Sequence, residues 1–103
     1  MISRISNVKY IFDTATVSEW ETHCSIGLAA AKVVTLPSAA LCAGKIFTFR
    51  TLSAFNATLT CVGSDVFVYP TSPTTLETNN DEAFVVLLST GTHWVVLGSG
   101  GLV

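Results

Sequence analysis

Charged residues are scarce in this sequence. Only 12% of its 103 residues are Asp, Glu, Lys or Arg, about half the usual share. The basic residues are scattered along the chain instead of clustered, and the formal net charge is −2. A protein that binds nucleic acid needs a basic patch to neutralise phosphates. The composition therefore argues against nucleic acid as a partner.

The usual marks of membrane insertion, secretion and disulfide bonding are also missing. The most apolar long window, Ile26 to Ala43, is interrupted by Lys32 and Pro37, so no segment is predicted to span a membrane. The N-terminus has no basic start followed by an apolar run of secretory length. The cysteines are odd in number and lack Cys-x-x-Cys spacing. They fit assembly in a reducing cytoplasm and are Cys24, Cys42 and Cys61.

Hydrophobic residues, by contrast, are abundant and make up 50% of the chain. A domain of this length buries only about 60–65% of the surface that its unfolded chain exposes. One small core cannot hide so many apolar side chains. We therefore expect an obligate oligomer, or docking onto a larger assembly.

A period of two dominates the hydrophobic pattern. In the segment Glu19–Leu28, even-numbered positions from Trp20 onward form one face and odd-numbered positions the other, which predicts a half-buried strand. A helix is the alternative, because Ser18 and Glu21 have capping-box spacing. Gly27 weakens a helix, and the alternation accounts for more positions.

Turn signals divide the rest of the chain into further short strands. We predict a single domain over residues 1–103: a compact all-β antiparallel sandwich or barrel of roughly eight short strands without a helix. Ser53–Asn56 is predicted to join two of them as a hairpin turn, and Phe47, Phe49 and Trp94 to lie in the core. The further strands are Ala31–Pro37, Lys45–Leu52, Ala57–Val62, Val66–Tyr69, Thr74–Thr78, Phe84–Leu88 and Trp94–Leu97.

The last two strands flank a polar break, Ser89–His93. This break is predicted to be a hairpin turn in which Gly91 takes a positive φ. The strands beside it are apolar at every position, whereas a strand with one face in water would alternate. We therefore expect one face to pack on the domain core and the other on a second chain. The candidate subunit contacts are Phe84, Val86, Leu88, Val95 and Leu97.

Catalytic and metal-binding patterns are weak. His23 and His93 are the only histidines, and no Gly-x-Ser-x-Gly motif accompanies them. His23 and Cys24 are adjacent on a predicted strand, so their side chains point to opposite faces. We predict no catalytic residue, no metal site and no cofactor. A small hydrolase stays open as an alternative if either histidine lies beside a Ser, Cys or carboxylate in a cleft.

Several ordered motifs between about Ala31 and Leu97 carry a family resemblance. A strand ends in Leu36-Pro37, and Gly44-Lys45 opens the next. A turn reads Gly63-Ser64-Asp65, and Gly91 to Trp94 begins a closing hairpin. In this order the motifs resemble the small β domain of tailed-phage fibres, spikes and head-attached decoration proteins. The resemblance implies a homotrimer.

The resemblance also implies a function. It suggests a non-enzymatic virion structural protein, made in the host cytoplasm and bound to major capsid protein or to fibre or baseplate components. The short chain leaves no length for a shaft, which favours a capsid decoration or a short head or tail fibre. We expect the N-terminal segment 1–12 to anchor it, through Ile2, Ile5 and Val8.

A carbohydrate-binding adhesin of a tail fibre or spike is the alternative on the same fold. Aromatic rings in loops stack on sugars, so this function predicts exposed rings beside polar groups. A host surface glycan would be the partner. The candidate contacts are Tyr10, Trp20 and Tyr69.

Overall fold

The computed structural model describes residues 8–28, 30–52, 56–68, 72–78 and 82–102. These residues form ten β-strands, one 3-10 helix (Ala39–Leu41) and no α-helix. No helix in this part of the chain is long and apolar enough to cross a membrane. The strands are β1 (Val8–Ile11), β2 (Ala15–Thr16), β3 (His23–Ile26), β4 (Lys32–Thr35), β5 (Ile46–Thr51), β6 (Ala57–Thr60), β7 (Phe67–Val68), β8 (Thr75–Glu77), β9 (Phe84–Ser89) and β10 (Trp94–Gly100).

The strands form two sheets, and the chain alternates between them. The larger sheet has the order β1-β3-β5-β9-β10-β7, and the smaller has the order β2-β4-β6-β8. Four pairs among the first six strands are parallel: β1 with β3, β2 with β4, β3 with β5 and β4 with β6. His23 lies opposite Thr48 in one sheet and Lys32 opposite Ala57 in the other. The first six strands therefore wind as a coil with one strand per sheet in each turn.

The predicted all-β class is confirmed, but the predicted antiparallel pairing is wrong. Both sheets are mixed: β5–β9, β9–β10 and β6–β8 are antiparallel, and the other pairs are parallel. A period of two indicates which face of a strand is buried and not which strand lies beside it. Parallel neighbours need a long crossover, and here the crossover is a strand of the opposite sheet.

The predicted hairpin between β5 and β6 is therefore also wrong. These strands lie in different sheets, and β6 pairs with β4 and β8. The Asn56 carbonyl accepts a hydrogen bond from the Lys32 backbone N–H at 3.3 Å. A turn signal in sequence marks where a strand ends, but the chain then crosses to the second sheet.

The core lies between the two sheets and is aromatic at its centre. Phe47 and Trp94 are fully buried, and their rings meet edge to face with centroids 5.2 Å apart. Phe49 stacks beside Phe47 at 6.4 Å. These positions confirm the predicted core residues. The radius of gyration is 13.0 Å, which matches the roughly 13 Å of a compact chain of about 100 residues.

The turn between β9 and β10 has the predicted form. Gly91 has a φ of 96°, a conformation that other residues rarely adopt. The Ser89 hydroxyl accepts a hydrogen bond from the Gly91 N–H and donates one to the Ala39 carbonyl at 2.7 Å. Ser89 is buried, so its hydroxyl ties the hairpin to the 3-10 helix. The break is a structural turn.

The strand predicted over Glu19–Leu28 is shorter in the structure. Cys24, Ile26 and Leu28 are buried as predicted, but only His23–Ile26 is strand. Trp20 lies in a turn and exposes 62% of its surface, so its placement on the buried face is wrong. The Ser18 backbone N–H donates to the Glu21 carboxylate at 2.8 Å, so the capping-box spacing closes a turn here and starts no helix.

We expect Trp94→Ala to lower the free energy of unfolding by about 3–5 kcal/mol, because it empties the aromatic centre of the core. Chemical denaturation followed by circular dichroism measures this change. Leu41→Ala is the control: Leu41 exposes 63% of its surface, and its truncation is expected to change stability by no more than about 0.5 kcal/mol. Equal effects of the two variants would contradict the assigned core.

Candidate interaction surface

Within the described part of the chain, one surface stands out because much of it is apolar and the second sheet does not cover it. It is the side of the six-stranded sheet that faces away from the four-stranded sheet, and we call it the outer face. Strand side chains alternate between two sides, so the outer face takes the residues between the core positions. They are Val8, Tyr10, His23, Ser25, Ile46, Thr48, Arg50, Val68, Phe84, Val86, Leu88 and Val95.

An apolar row crosses four neighbouring strands of this face. Ile46 on β5 lies opposite Leu88 on β9, Leu88 lies opposite Val95 on β10, and Val95 lies opposite Val68 on β7. Strands are about 4.8 Å apart, so the row is about 14 Å long. Ile46 exposes 49% and Val68 39% of its surface. These exposures are large for aliphatic side chains that touch one another in a continuous row.

Toward β1 the outer face becomes polar. Val86 lies opposite Thr48, which lies opposite His23. In the next row Phe84 lies opposite Arg50. Arg50 carries the one permanent charge among the twelve outer-face residues, and it has no ion-pair partner in the described part of the chain. The face is therefore apolar over β7, β10, β9 and the start of β5 at Ile46, and polar over β3 and the rest of β5.

The Phe84 ring packs against β10 at a glycine, Gly100. A Cβ atom placed on Gly100 would lie 2.6 Å from the Phe84 ring, so only glycine permits this contact. Gly100 is the register partner of Phe84. The ring covers exposed backbone where a side chain is missing, yet 43% of Phe84 stays accessible. Phe84 is thus a pre-positioned aromatic group on the outer face, four residues along β9 from Leu88 of the apolar row.

The structure brings four of the five predicted contact residues together on the outer face: Phe84, Val86, Leu88 and Val95. Leu97 is different. Val96 pairs with Leu87 and Gly98 pairs with Val86, so Leu97 is the extra residue of a β-bulge, with 52% of its surface exposed. A bulge shifts the alternation by one, which a strict period of two does not anticipate.

Two members of the apolar row were missing from the predicted contacts. Ile46 lies on the side of β5 away from the core residues Phe47 and Phe49. The alternation in the sequence is sufficient to predict this position. Val68 could not be placed in this way, because β7 is only two residues long and its parallel partner β10 lies more than twenty residues later. The role of the predicted contacts stays a prediction.

Only some of the predicted anchor and glycan contacts lie among the described residues. Ile2, Ile5 and Tyr69 lie outside the described residues. Val8 opens β1 opposite His23 and exposes 44% of its surface. Tyr10 exposes 64% on the outer face, opposite Ser25.

Trp20 has a polar neighbourhood of its own. The Lys45 ammonium lies 3.9 Å from the centre of its ring and donates a hydrogen bond to the Glu19 carbonyl at 3.0 Å. This is a cation–π contact, and it occupies one side of the indole. Tyr10 lies in a strand and Trp20 in a turn, and the structure joins them by no ring contact in its described part.

An ion pair holds the turn before β3 to β1. Lys9 Nζ lies 3.2 Å from Glu21 Oε2, and both side chains are more than two-thirds buried. The hydrogen bond from the Ser18 N–H has the largest effect on the pKa of the Glu21 carboxyl and lowers it. Lys9 lowers this pKa further, whereas burial raises it. The turn that contains Trp20 is therefore stabilised by hydrogen bonds to the Glu21 carboxylate.

The two histidines and the three cysteines differ in their surroundings. His23 Nδ1 lies 2.8 Å from Thr48 Oγ1 on the open sheet face, and His93 is exposed in the hairpin turn. Burial raises the pKa of the Cys24 and Cys61 thiols to about 12, so they stay protonated and poorly nucleophilic at neutral pH. Among the described residues, no three His, Cys, Asp or Glu side chains are grouped to hold a metal ion.

The sequence was compared with protein-family models and with curated proteins. No protein-family model matches the sequence, and no curated protein matches it either. The function is therefore argued from the surface itself, together with the ordered motifs.

We expect Glu21→Gln to lower the free energy of unfolding at pH 7 by at most about 1 kcal/mol, the usual limit for a partly exposed ion pair. The pKa of this carboxyl is lowered from 4.5 on folding. Its stabilisation is therefore present above 4.5 and is lost as the pH falls through the lowered value. Wild type and variant should converge in acid when unfolding is measured as a function of pH.

Glu77→Gln is the matched control, because the Glu77 carboxylate makes no hydrogen bond or ion pair with the described residues. Its effect on stability at pH 7 should be smaller than that of Glu21→Gln. A pH-independent loss in Glu21→Gln would contradict the assigned ion pair.

Proposed function

We propose that this chain is a non-enzymatic structural protein of a tailed-phage virion, a capsid decoration or a short head- or tail-fibre subunit that works as a homotrimer. The observation that supports this proposal is the apolar row on the outer face, from Ile46 to Val68. A sheet face that meets water normally carries polar side chains. Parallel strands in particular are usually covered on both faces.

The dimensions of the outer face suit a subunit contact. Six strands about 4.8 Å apart, each rising about 3.3 Å per residue, make a footprint of roughly 24 by 13–20 Å. Side chains project from the sheet, so the accessible area of the face is larger than this flat footprint. The total is of the same order as the roughly 800 Å² that a stable interface buries on each partner.

A second copy of the same chain is the partner that the charges favour. None of the outer-face residues is acidic, and the one permanent charge, Arg50, lies at the polar side. Three copies can meet around a common axis with their apolar rows toward the centre and without opposing like charges there. Phe84 and Arg50 lie on the same outer face, two rows along the strands from the apolar row, and aromatic and arginine side chains often carry most of the binding energy at interfaces.

The number of subunits and the placement on a virion rest on the ordered motifs. In the fold these motifs mark strand ends: Leu36-Pro37 follows β4, and Gly44 precedes β5 with a φ of 83°. Gly63 begins the next turn with a φ of 60°. The resemblance to phage fibre and decoration domains therefore involves residues that shape the turns of this fold.

We expect the purified protein to be a trimer by light scattering coupled to size exclusion, and Ile46→Lys to convert it to folded monomer. The lysine would place an unpaired charge within the apolar row, and burying such a charge is costly. Circular dichroism should be unchanged, because Ile46 points away from the core.

Leu41→Lys is the control, since Leu41 is more exposed than Ile46 and lies in the 3-10 helix, off both sheets. It should remain trimeric. A monomeric wild type would overturn the proposal. A trimer that survives both Ile46→Lys and Leu88→Lys would place the contact on another surface.

The second candidate function is a carbohydrate-binding adhesin of a tail fibre or spike. The exposure of Tyr10 and Trp20, each above 60%, favours it, as do the polar groups of Lys45 and Glu19 around Trp20.

In that function, Trp20→Ala or Tyr10→Ala lowers glycan affinity by roughly two- to tenfold, the worth of one ring contact. A glycan array followed by titration calorimetry measures it. Phe12→Ala is the control, because Phe12 exposes 70% of its surface and is not a predicted contact. An array without hits removes this candidate.

A further inference from the structure

A single imidazole interrupts an otherwise uncharged row of the outer face. His23 is exposed on β3, between Val8 on β1 and Thr48 on β5, with Val86 next in the row. Its Nδ1 lies 2.8 Å from the Thr48 hydroxyl. A hydroxyl can donate to this nitrogen or accept from it, so the pair suits a neutral ring and brings no counter-charge for a protonated one.

The strands around His23 bring no free carboxylate to it. On the same face, β1 contributes Tyr10 and β5 contributes the guanidinium of Arg50, which lies one row away. On its own strand the next outer residue is Ser25. Glu21 precedes the strand, but its carboxylate is bound by Lys9 and by the Ser18 N–H.

The remaining charged groups at this end of the strand are Lys45, whose ammonium lies over Trp20, and Glu19, whose backbone carbonyl accepts a hydrogen bond from Lys45. A protonated His23 would thus share its face with Arg50 and have no dedicated anion among the described residues. In water this arrangement costs little, because solvent screens both charges. Once the face is covered, the same cation would have to be buried unpaired.

We propose that His23 makes assembly through the outer face sensitive to pH, so that acidification separates the subunits. This inference rests on the proposed function, because it requires the face to be covered by another copy of the chain. The neutral ring is compatible with burial beside Val8, Thr48 and Val86. Protonation favours the separated subunits, so assembly and proton binding by this ring oppose each other.

The test measures the concentration at which half of the protein is assembled, by analytical ultracentrifugation at pH 7.5 and pH 5.5. The wild-type dissociation constant should rise in acid by roughly tenfold for each buried histidine. His23→Gln keeps a hydrogen-bonding group for Thr48 and cannot be protonated in this range. It should remain assembled at both pH values.

Two further variants make the result specific to this imidazole. His93→Gln removes the other histidine of the chain, which is exposed in the hairpin turn, and should dissociate in acid like the wild type. His23→Lys fixes a positive charge at the position and should be dissociated already at pH 7.5. Circular dichroism of each variant separates loss of assembly from loss of fold.

The outcomes distinguish this inference from its premise. A wild type that is monomeric at pH 7.5 overturns the proposed function and this inference with it. A trimer whose dissociation constant does not change with pH overturns only the inference. So does a pH dependence that persists in His23→Gln or disappears in His93→Gln.

Discussion

The edge-to-face contact between Trp94 and Phe47 is the interaction on which the rest of this structure depends. Trp94 opens β10 and pairs with Ser89 on β9 and Phe67 on β7, while Phe47 lies on β5. One pair of rings therefore fixes four of the six strands of the larger sheet. The indole N–H is buried without a hydrogen-bond partner in the described part of the chain. Ring burial must offset that cost, about 1–3 kcal/mol.

Filling the core in this way determines what is left outside. Once Trp94, Phe47, Val85 and Leu87 point inward, their neighbours along β5, β9 and β10 must point outward. Those neighbours are mostly aliphatic, so the geometry that completes the core also creates the apolar row. The Phe84 ring is part of the same arrangement, because it packs on Gly100. The outer face is thus a by-product of core packing, and it is the surface that we propose to be covered by further copies of the chain.

The candidate site was partly within reach of sequence reasoning. Residues Phe84, Val86 and Leu88 follow from alternation along β9, and the polar break at Ser89–His93 follows from turn chemistry. Leu97 was grouped with Val95 by the same rule, but the β-bulge removed it from the register. The alternation places His23 on the face opposite Cys24 but does not give it neighbours. Its place between Val8 and Thr48 depends on parallel pairings that alternation does not contain.

The sequence by itself determined the all-β class, the positions of the core aromatics and the apolar character of the last two strands. These are local properties, because the side-chain period and the turn residues act over a few neighbours. Only the tertiary structure decided that the strands wind between two sheets in parallel, that Val68 completes the row begun by Ile46, and that Trp20 is exposed. Each of these depends on partners distant in the chain, which are selected by the packing of the whole core.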